Sequence, residues 1–535
     1  MLRVKKTISK LKRVRIRINL RKRKEKVIPP APSIPIPRGY KTVDRTALYE
    51  PFAHAVIVQN PSTGEFKYIL DELQLDPFER GIYDRILEIL LAEIRSPKGE
   101  VKDPRAFFDT EAKKIIEKYR ISLGWLADVS WSKILYHAER DLVGFGQIDA
   151  LMRDPNIEDI SCDGVSKPVF VWHRKFESIE TNLVFRDDEE LDNLMVKLVH
   201  MAGKHVSSAF PIVDASLPGK HRLAVCYRRE ITPFGTTFTI RKFREDPYSI
   251  IDLINLGTLS EDVAAYFWVG LENRASIMLL GGTAAGKTTA LNALACLIKP
   301  GSKILTIEET AELNLPHENW VSLISRRSYG LGENQSGEVS LFDLVKASLR
   351  HRPDYLIVGE VRGSEAYVLF QALATGHGGM CTMHAESLDS VVKRLTQKPM
   401  DIAPAYIPLM NVVAIIQRVH LKKRGEMKAY RRVTSVEEIV DYEDYNKTFE
   451  WKPAEDIFSS SLIGSTLFSK LSKNLGVSQQ DLLEEMERRK NVLSWMQRRG
   501  IRSYHDVARI IMEYYSRPNE FYKRKVEPVV SAEYS

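Results

Sequence analysis

The chain has 535 residues, enough for three or four domains with sizeable cores. Hydrophobic residues make up 44% and charged residues 28%, a balance typical of a soluble globular protein. No run approaches the roughly 18 apolar residues of a membrane span, and the four cysteines are scattered without a C-x-x-C pair. Composition therefore excludes a membrane-spanning protein, a disulfide framework and a cysteine zinc site, and we expect a protein that is cytoplasmic or bound to a membrane only peripherally.

Positive charge is concentrated in residues 1–28, which carry 13 Lys and Arg against one Glu, a local charge of +12. The whole chain carries +8, so the other 507 residues sum to about −4. A proline-rich spacer follows, and we predict that residues 1–39 form a basic, disordered tail. Such a tail is attracted to an anionic membrane face or to nucleic acid, or it is a solvated extension without a specific partner.

Residues 40–145 are predicted to form a first domain that consists of a hairpin and helices. Apolar and polar residues alternate on both sides of the turn NPSTG (60–64), which indicates the hairpin. The apolar spacing then becomes helical and predicts three helices, over residues 78–94, 106–124 and 131–152.

Residues 146–245 are predicted to form a small α+β domain of a kind that could cover a nucleotide pocket. Short strands separated by turns precede a helix over 188–204, and two more strands follow within 221–243. Arg222 and Arg241 each lie within one of these strands, between apolar neighbours. An arginine on a sheet face is usually solvated or ion-paired, and contact with a phosphate group is the alternative.

After a predicted linker over 246–257, strand and helix patterns alternate in residues 258–443 and predict an α/β domain with a parallel sheet. A short apolar strand beginning at Ser276 leads into a G-x-x-x-x-G-K-[ST] pattern, and a helix-forming segment follows it. The predicted nucleotide-binding residues of this loop are Gly281, Gly282, Thr283, Ala284, Ala285, Gly286, Lys287, Thr288 and Thr289.

The residue types of this phosphate loop match the chemistry of a nucleotide site. Glycines allow successive backbone N–H groups to face phosphate oxygens, and Lys287 places a positive charge between the terminal phosphates. The Thr288 hydroxyl can hold Mg²⁺, and Thr289 is the next residue into the helix. We therefore predict ATP and Mg²⁺ as cofactors.

Carboxylates follow two further predicted strands. Glu308 and Glu309 end the strand over 303–309, and Glu360 comes near the end of the strand over 354–361. Ligands in parallel sheets bind beyond the carboxyl ends of the strands. Hydrolysis of a phosphoanhydride requires a carboxylate that orients the attacking water and a metal that neutralises charge, and we assign the first task to Glu360.

Two histidines, His377 and His384, lie in the glycine-containing stretch TGHGGMCTMHAES, which includes the predicted strand 380–385. Their spacing of seven matches no common metal site. We predict that both imidazoles act as neutral donors toward the terminal phosphate. Residues 444–535 are predicted to form a helical extension that packs on the preceding domain.

Four ordered motifs carry a family resemblance: the phosphate loop, TIEETAEL, RPDYLIVGEVRG and TGHGGMCTMHA. In this order they resemble the Walker A, Asp box, Walker B and His box motifs of the secretion ATPase superfamily, which serves type II secretion, type IV pili and archaella. Segments on either side of the core look most similar to the archaeal branch, and the tetracysteine module of many bacterial members is missing. Glu309 stands where many members have Asp.

The resemblance implies a fold class and a mechanism. Membership implies an α/β, RecA-like motor domain over 258–443, a PAS-like domain over 146–245, and a hexameric ring that works with a polytopic membrane platform protein. It also implies catalytic roles for Glu360, Glu308 and the two histidines. Thr288 and Glu309 would bind Mg²⁺, Arg222 and Arg241 would reach nucleotide phosphates, and Arg326 and Arg327 are further candidates near the terminal phosphate.

Two functions remain open from the sequence. The first is an ATPase motor for filament assembly or secretion, held at the membrane by its basic tail. The second is a nucleic-acid motor, which the basic tail and the RecA-like resemblance would permit. We do not expect a nucleic-acid partner, because the rest of the chain is nearly neutral and lacks interleaved aromatic and basic residues.

Overall fold

The computed structural model describes residues 34–93, 104–119, 121, 127–244, 246–326, 337–423 and 426–531. Two compact units result, Met1–Phe243 and Arg244–Ser535. Residues 1–33 of the predicted tail and Arg327 lie outside the described residues. In the part of the chain that is described, no helix combines the length and the apolar character that crossing a membrane would require.

The first unit is built on one nine-stranded sheet with the order β1-β2-β3-β6-β5-β4-β9-β8-β7. Its strands are β1 (Lys41–Tyr49), β2 (Ala53–Gln59), β3 (Phe66–Glu72), β4 (Ile157–Cys162), β5 (Pro168–His173), β6 (Glu177–Val184), β7 (Ile212–Ser216), β8 (Arg222–Cys226) and β9 (Thr237–Arg241). The predicted hairpin is confirmed as β2 and β3, and a short parallel pairing of β3 with β6 joins it to the α+β region. Strands of both predicted N-terminal domains thus share a single sheet.

Five helices accompany this sheet: α1 (Pro77–Glu93), α2 (Pro104–Tyr119), α3 (Ala127–Ala138), α4 (Asp149–Arg153) and α5 (Asp188–Met201). Helix α5 begins after Asp187, whose carboxylate accepts the backbone N–H of Glu190 as an N-cap. Its apolar residues recur at helical spacing and are buried in the core of the sheet: Leu191, Leu194, Met195, Leu198 and Val199. This helix confirms the prediction over 188–204.

The predicted continuous helix over 131–152 is wrong. Helix α3 ends at Ala138, and a π-helical turn and a 3₁₀ turn precede α4. Two glycines explain the break. A Cβ atom at Gly144 would collide with the Asp149 carboxylate, and Gly146 has a φ of +64°, outside the helical region.

The second unit contains another nine-stranded sheet with the order β12-β11-β13-β14-β10-β15-β16-β17-β18. Its strands are β10 (Ile277–Leu280), β11 (Ile304–Glu308), β12 (Trp320–Ile324), β13 (Tyr355–Val358), β14 (Gly378–Met383), β15 (Val412–Lys423), β16 (Glu426–Asp441), β17 (Asp444–Lys452) and β18 (Ile457–Ser460). The six strands from β12 to β15 in this order are parallel, and the last three run antiparallel. The predicted α/β domain with a parallel sheet is confirmed.

Both faces of the parallel part are buried, as β10 shows. Ile277 and Leu279 face one apolar core, and Met278 and Leu280 face the other. Burial on both faces explains why β10 is a continuous apolar run rather than an alternating one. The helices that cover the sheet and extend beyond it are α6 (Ile250–Asn255), α7 (Glu261–Glu272), α8 (Lys287–Ala295), α9 (Leu341–Ser348), α10 (Glu365–Ala374), α11 (Leu388–Thr396), α12 (Thr466–Leu475), α13 (Gln479–Arg498), α14 (Tyr504–Ser516), α15 (Pro518–Phe521) and α16 (Glu527–Ser531).

Two assignments in this unit need correction. The predicted linker 246–257 contains α6, which begins with a reciprocal capping box between Ser249 and Asp252 and buries its apolar residues in the core. The predicted helical extension begins with strands instead, because residues 444–460 form β17 and β18. Phe449 and Trp451 alternate toward the core on β17 with a period of two, not 3.6.

Buried polar contacts attach the helices that follow β18 to the rest of the unit. Glu438 on β16 is fully buried and accepts four hydrogen bonds: from Tyr266 Oη (2.7 Å), Ser465 Oγ (2.6 Å), the Thr466 N–H (2.6 Å) and the Leu467 N–H (3.3 Å). A buried carboxylate with this many donors is well compensated. It holds the beginning of α12 directly on the sheet.

Arg489 on α13 makes the second buried attachment. Its guanidinium donates to the Trp268 carbonyl at 3.0 Å, to Glu485 at 2.9 Å and to Glu272, and it lies against the Trp268 ring. The side chain is only 3% exposed. Removing one member of a buried ion pair leaves the remaining charge without compensation.

We expect the Arg489→Ala substitution to lower the free energy of unfolding by about 3 kcal/mol or more, because Glu272 would stay partly buried without its cation. Chemical denaturation followed by tryptophan fluorescence measures this change. Arg524→Ala is the matched control, since Arg524 is 76% exposed and pairs only with Glu520 at the surface. Equal denaturation midpoints for the two variants would show that the Arg489 contacts do not stabilise this unit.

Candidate functional site

The phosphate loop lies between β10 and α8, as predicted. Gly281 follows β10 directly, and a Cβ atom there would collide with the Ile416 carbonyl oxygen of the neighbouring strand β15. Gly286 has a φ of +93° and is the N-cap of α8. Glycine is required at the first position for close approach and at the second for a left-handed backbone. The two glycines of the motif therefore fix the path of the loop.

The loop presents backbone donors at the N-terminus of a helix. The first N–H groups of α8, beginning at Lys287, have no acceptor within the helix, and the helix dipole favours negative charge at this end. Apart from a 3.4 Å bond from Ala285 N–H to the Gly282 carbonyl, the described residues provide no backbone acceptor for the N–H groups of 283–286. These free donors fit a phosphate group.

Lys287 is half-buried and turns back onto the loop. Its Nζ donates to the carbonyl oxygens of Gly281 at 3.0 Å and Gly282 at 2.9 Å. Burial lowers the pKa of Lys287, while the nearby carboxylates of Glu360 and Glu312 act in the opposite direction. An anionic phosphate chain would favour the charged form of this lysine further, as a phosphate-binding role requires.

Glu360 follows β13 by two residues and lies at the same edge of the sheet as the phosphate loop. The guanidinium of Arg362 bonds its Oε2 at 2.6 Å and also contacts Glu309 at 3.5 Å. Both carboxylates are partly exposed, at 32% for Glu360 and 38% for Glu309. One arginine thus connects the two carboxylates that the sequence assigned to water activation and metal binding.

The donor set fits Mg²⁺ chemically. This ion prefers oxygen ligands and keeps several waters, so a hydroxyl, one or two carboxylates and nucleotide phosphates suffice. Thr288 provides the hydroxyl at the beginning of α8, and Glu309 provides a carboxylate one residue beyond β11. Both residues are partly accessible, so neither is locked inside the core.

Glu308 has a different environment from its neighbour. It is 4% exposed, and its Oε1 accepts the backbone N–H groups of Glu312 at 2.9 Å and Leu313 at 3.0 Å. Gly359 packs on its side chain, since a Cβ atom there would lie 3.1 Å from Glu308 Cγ. Through these hydrogen bonds Glu308 fixes the backbone of the segment that carries Glu312. A catalytic role for Glu308 itself stays a prediction.

The two histidines lie at opposite ends of β14. His384 follows this strand at the edge of the phosphate loop, and it is exposed. His377 precedes the strand, and a six-residue strand spans roughly 20 Å. Its Nδ1 lies 2.9 Å from Thr375 Oγ1 and 3.0 Å from the Ala372 carbonyl, at the end of α10. Within one chain, His377 thus lies at the end of β14 away from the phosphate loop, and the catalytic role of His377 stays a prediction.

Arg222 and Arg241 lie in the first unit and face each other directly across β8 and β9. Each binds a carboxylate: Arg222 bonds Asp214 at 2.6 Å, and Arg241 bonds Asp159 at 3.1 Å. Both are more than a third exposed. An ion pair is the usual role of an arginine on a sheet face. Binding of a nucleotide phosphate by Arg222 and Arg241 remains a prediction.

Arg326 lies just beyond β12, where its backbone pairs with Val339 in both directions. Its Nε donates to the Gly337 carbonyl at 2.7 Å. Residues 327–336, which include the other candidate Arg327, are outside the described part of the chain.

Sequence reasoning missed three residues at this edge: Glu312, Arg362 and Arg431. Arg362 was recognisable as the cation two residues after Glu360. Glu312 was visible as a third carboxylate of TIEETAEL, but only the fold shows that Glu308 turns inward to support it. Arg431 donates to the Ala284 carbonyl but lies about 150 residues from the loop in sequence. No sequence pattern around Arg431 indicates this contact.

Comparisons with known proteins identify the family of this chain. The family model described as Type II/IV secretion system protein matches residues 142–447. The protein MJ0900 of Methanocaldococcus jannaschii is 39% identical over 394 residues, which cover 72% of this chain and 70% of the relative. The conjugal transfer protein TrbB of Rhizobium radiobacter is 29% identical over 245 residues, covering 45% of this chain and 72% of TrbB.

A solved structure, the ATPase DotB of Legionella pneumophila, matches with 15% identity over 68% of this chain and 93% of DotB. The TM-score of 0.38 is too low to support further comparison of the two structures.

The environment of Glu308 can be tested by two substitutions. We expect Glu308→Gln to retain ATP hydrolysis within about threefold of the wild type, because the amide oxygen can still accept the two backbone N–H groups. Glu308→Ala removes both bonds and should lower the free energy of unfolding by about 2 kcal/mol. Steady-state hydrolysis and thermal unfolding measure these effects. A loss of about 100-fold in kcat for Glu308→Gln, with unchanged stability, would establish direct catalysis instead.

Proposed function

Because the chain belongs to the family of type II/IV secretion system proteins, which is an ATPase family, we propose that it is a hexameric Mg-ATP-hydrolysing motor. The motor powers the assembly or secretion of type IV pilin-like filaments, in an archaellum, a pilus or a type II secretion system, through a polytopic membrane platform protein. The family match bears out the resemblance drawn from the four sequence motifs. The observation that carries the proposed chemistry is the meeting of the phosphate loop, Glu309 and Glu360 at one edge of the parallel sheet.

The residues at this edge of the sheet have different roles in ATP hydrolysis. The N–H groups at the beginning of α8 and the Lys287 ammonium bind the phosphate chain, which displaces the lysine from the Gly281 and Gly282 carbonyls. Thr288 and Glu309 would hold Mg²⁺, which when bound neutralises charge on the terminal phosphates. Glu360 orients and deprotonates the attacking water, and Arg362 holds the Glu360 carboxylate in place.

His384 is the imidazole positioned to donate toward the terminal phosphate, since it lies at the phosphate-loop edge. Arg222 and Arg241 of the first unit would provide further positive charge to the nucleotide. In that role they must exchange Asp214 and Asp159 for phosphate oxygens. A phosphate group carries more charge than a carboxylate and accepts bidentate bonds, which favours this exchange.

We expect Lys287→Ala and Glu360→Gln each to lower ATP hydrolysis by about 100-fold or more. Lys287→Ala acts through loss of the phosphate-binding charge, and Glu360→Gln acts through loss of the base, so the second variant should still bind nucleotide. Mg-dependent phosphate release measures turnover. Lys299→Ala is the matched control, because Lys299 is exposed in the same unit, away from the loop. Turnover that survives both substitutions would refute the proposed activity.

For the tail we propose peripheral attachment to the inner face of the cell membrane, at about 1 kcal/mol per basic residue near an anionic surface. In a full-length variant, Gln replaces the 13 Lys and Arg residues of positions 1–28. We expect this variant to lose binding to anionic vesicles in sedimentation assays while keeping ATP hydrolysis. Unchanged vesicle binding would contradict the attachment, and hydrolysis stimulated by DNA in the wild type would favour a nucleic-acid motor.

A further inference from the structure

The side chain of Arg431 reaches the phosphate loop from β16. Its Nε donates to the Ala284 carbonyl at 3.2 Å. Its Cδ lies against Gly286, where a Cβ atom would be 3.0 Å away. Ala284 and Gly286 are residues of the loop itself, so Arg431 contacts the loop backbone at two points.

The order of the sheet places Arg431 on the side of the loop away from Glu360. Strand β10 has β14 and then β13 on one side, and β15 and then β16 on the other. Glu360 follows β13, whereas Arg431 lies on β16. Glu360 and Arg431 thus belong to strands two positions away from β10, on opposite sides of it. The residues of hydrolysis lie on one side, and Arg431 approaches from the other.

Ala284 has a backbone conformation that needs support. Its φ is +58°, in the left-handed region that residues with a Cβ atom rarely adopt. Such conformations persist when surrounding contacts hold them, and they concentrate at ligand-binding loops. The Ala284 carbonyl and the Ala285 N–H belong to one peptide plane and point in opposite directions. Arg431 holds the oxygen outward and so turns the N–H into the loop, where it bonds the Gly282 carbonyl at 3.4 Å.

Strand pairing does not account for a cation at this position. Arg431 lies directly opposite Arg418 on β15 in the antiparallel register, and like charges facing each other destabilise a sheet. The bond to the Ala284 carbonyl gives the Arg431 guanidinium a partner outside this strand pair.

We propose that Arg431 is a positioning residue for nucleotide binding. It holds the Ala284 peptide so that the loop keeps the shape that accepts a phosphate chain, and it contributes to the affinity for ATP and ADP rather than to bond cleavage. This role rests on the proposed function in that it requires a nucleotide at the phosphate loop. It does not require Arg431 to contact the nucleotide.

Nucleotide affinity and turnover, measured separately on the full chain, test this role. We expect Arg431→Gln to raise the Kd for a fluorescent ADP analogue and the KM for ATP by about tenfold, the effect of losing a charge-assisted hydrogen bond. The kcat should stay within about twofold, because the groups near Glu360 are untouched. Thermal unfolding without nucleotide should match the wild type. Arg509→Gln is the control, since Arg509 is 76% exposed and pairs only with Asp506.

A second variant separates the hydrogen bond from packing of the aliphatic stem. Arg431→Met keeps the contact with Gly286 and removes the guanidinium, so we expect it to behave as Arg431→Gln. Wild-type Kd and KM in either variant, or a fall in kcat with unchanged KM, would overturn the role of Arg431. A wild-type chain that binds the ADP analogue but does not hydrolyse ATP would refute the proposed function, and the binding measurements would still decide on Arg431.

Discussion

The parallel register of the second sheet is the constraint on which the site depends. Leu280 pairs with Met383, Cys381 pairs with Val358, and Val358 pairs with Ile307, so the carboxyl ends of four strands meet at one edge. Each strand delivers a different chemical group there: a loop of N–H donors, a histidine and two separate carboxylates. A shift of one residue in any pairing would turn that strand's side chains to the other face of the sheet. Burial on both faces makes such a shift costly.

In the absence of nucleotide, two cations at this edge of the sheet have partners within the chain. Lys287 bonds the carbonyls of its own loop, and Arg362 bonds Glu360. Each of these cations therefore has a hydrogen-bond acceptor within the chain. A phosphate chain that binds the loop must draw Lys287 from these carbonyls, and its several negative charges favour this exchange.

The sequence predicted the parallel sheet, the phosphate loop in its strand and helix context, and the carboxylates at strand ends, because these are local patterns. The sequence did not predict the position of a side chain where that position depends on the residue at which a strand begins. The sequence shows His377 next to a glycine-rich strand. Only the structure shows that β14 begins at Gly378, so that His377 lies at the end of the strand away from the phosphate loop. Likewise, TIEETAEL offers three carboxylates, and their division into a buried brace and accessible ligands depends on packing against Gly359.

Long-range contacts were beyond sequence reasoning for a different reason. Arg431 and Ala284 are far apart along the chain, and β16 in isolation is an ordinary strand with polar residues. The strands β17 and β18 were misassigned for another reason, since each pairs with the strand just before it in the chain. Their alternation is weak, and they extend a sheet that is already present, because β17 pairs with β16 and β18 pairs with β17, which satisfies their backbone groups.

The buried Glu438 has a consequence for how this protein can be divided. Its carboxylate on the sheet is satisfied largely by residues 465–467, which begin the C-terminal helices. A shortened motor that ended after β18 would keep the carboxylate and lose three of its four donors, and it would uncover the apolar surface of α7 that α13 covers. The family match ends at residue 447. A fragment that ended there would leave the Glu438 carboxylate without most of its donors and the apolar surface of α7 exposed. The smallest piece suited to biochemical study includes the terminal helices.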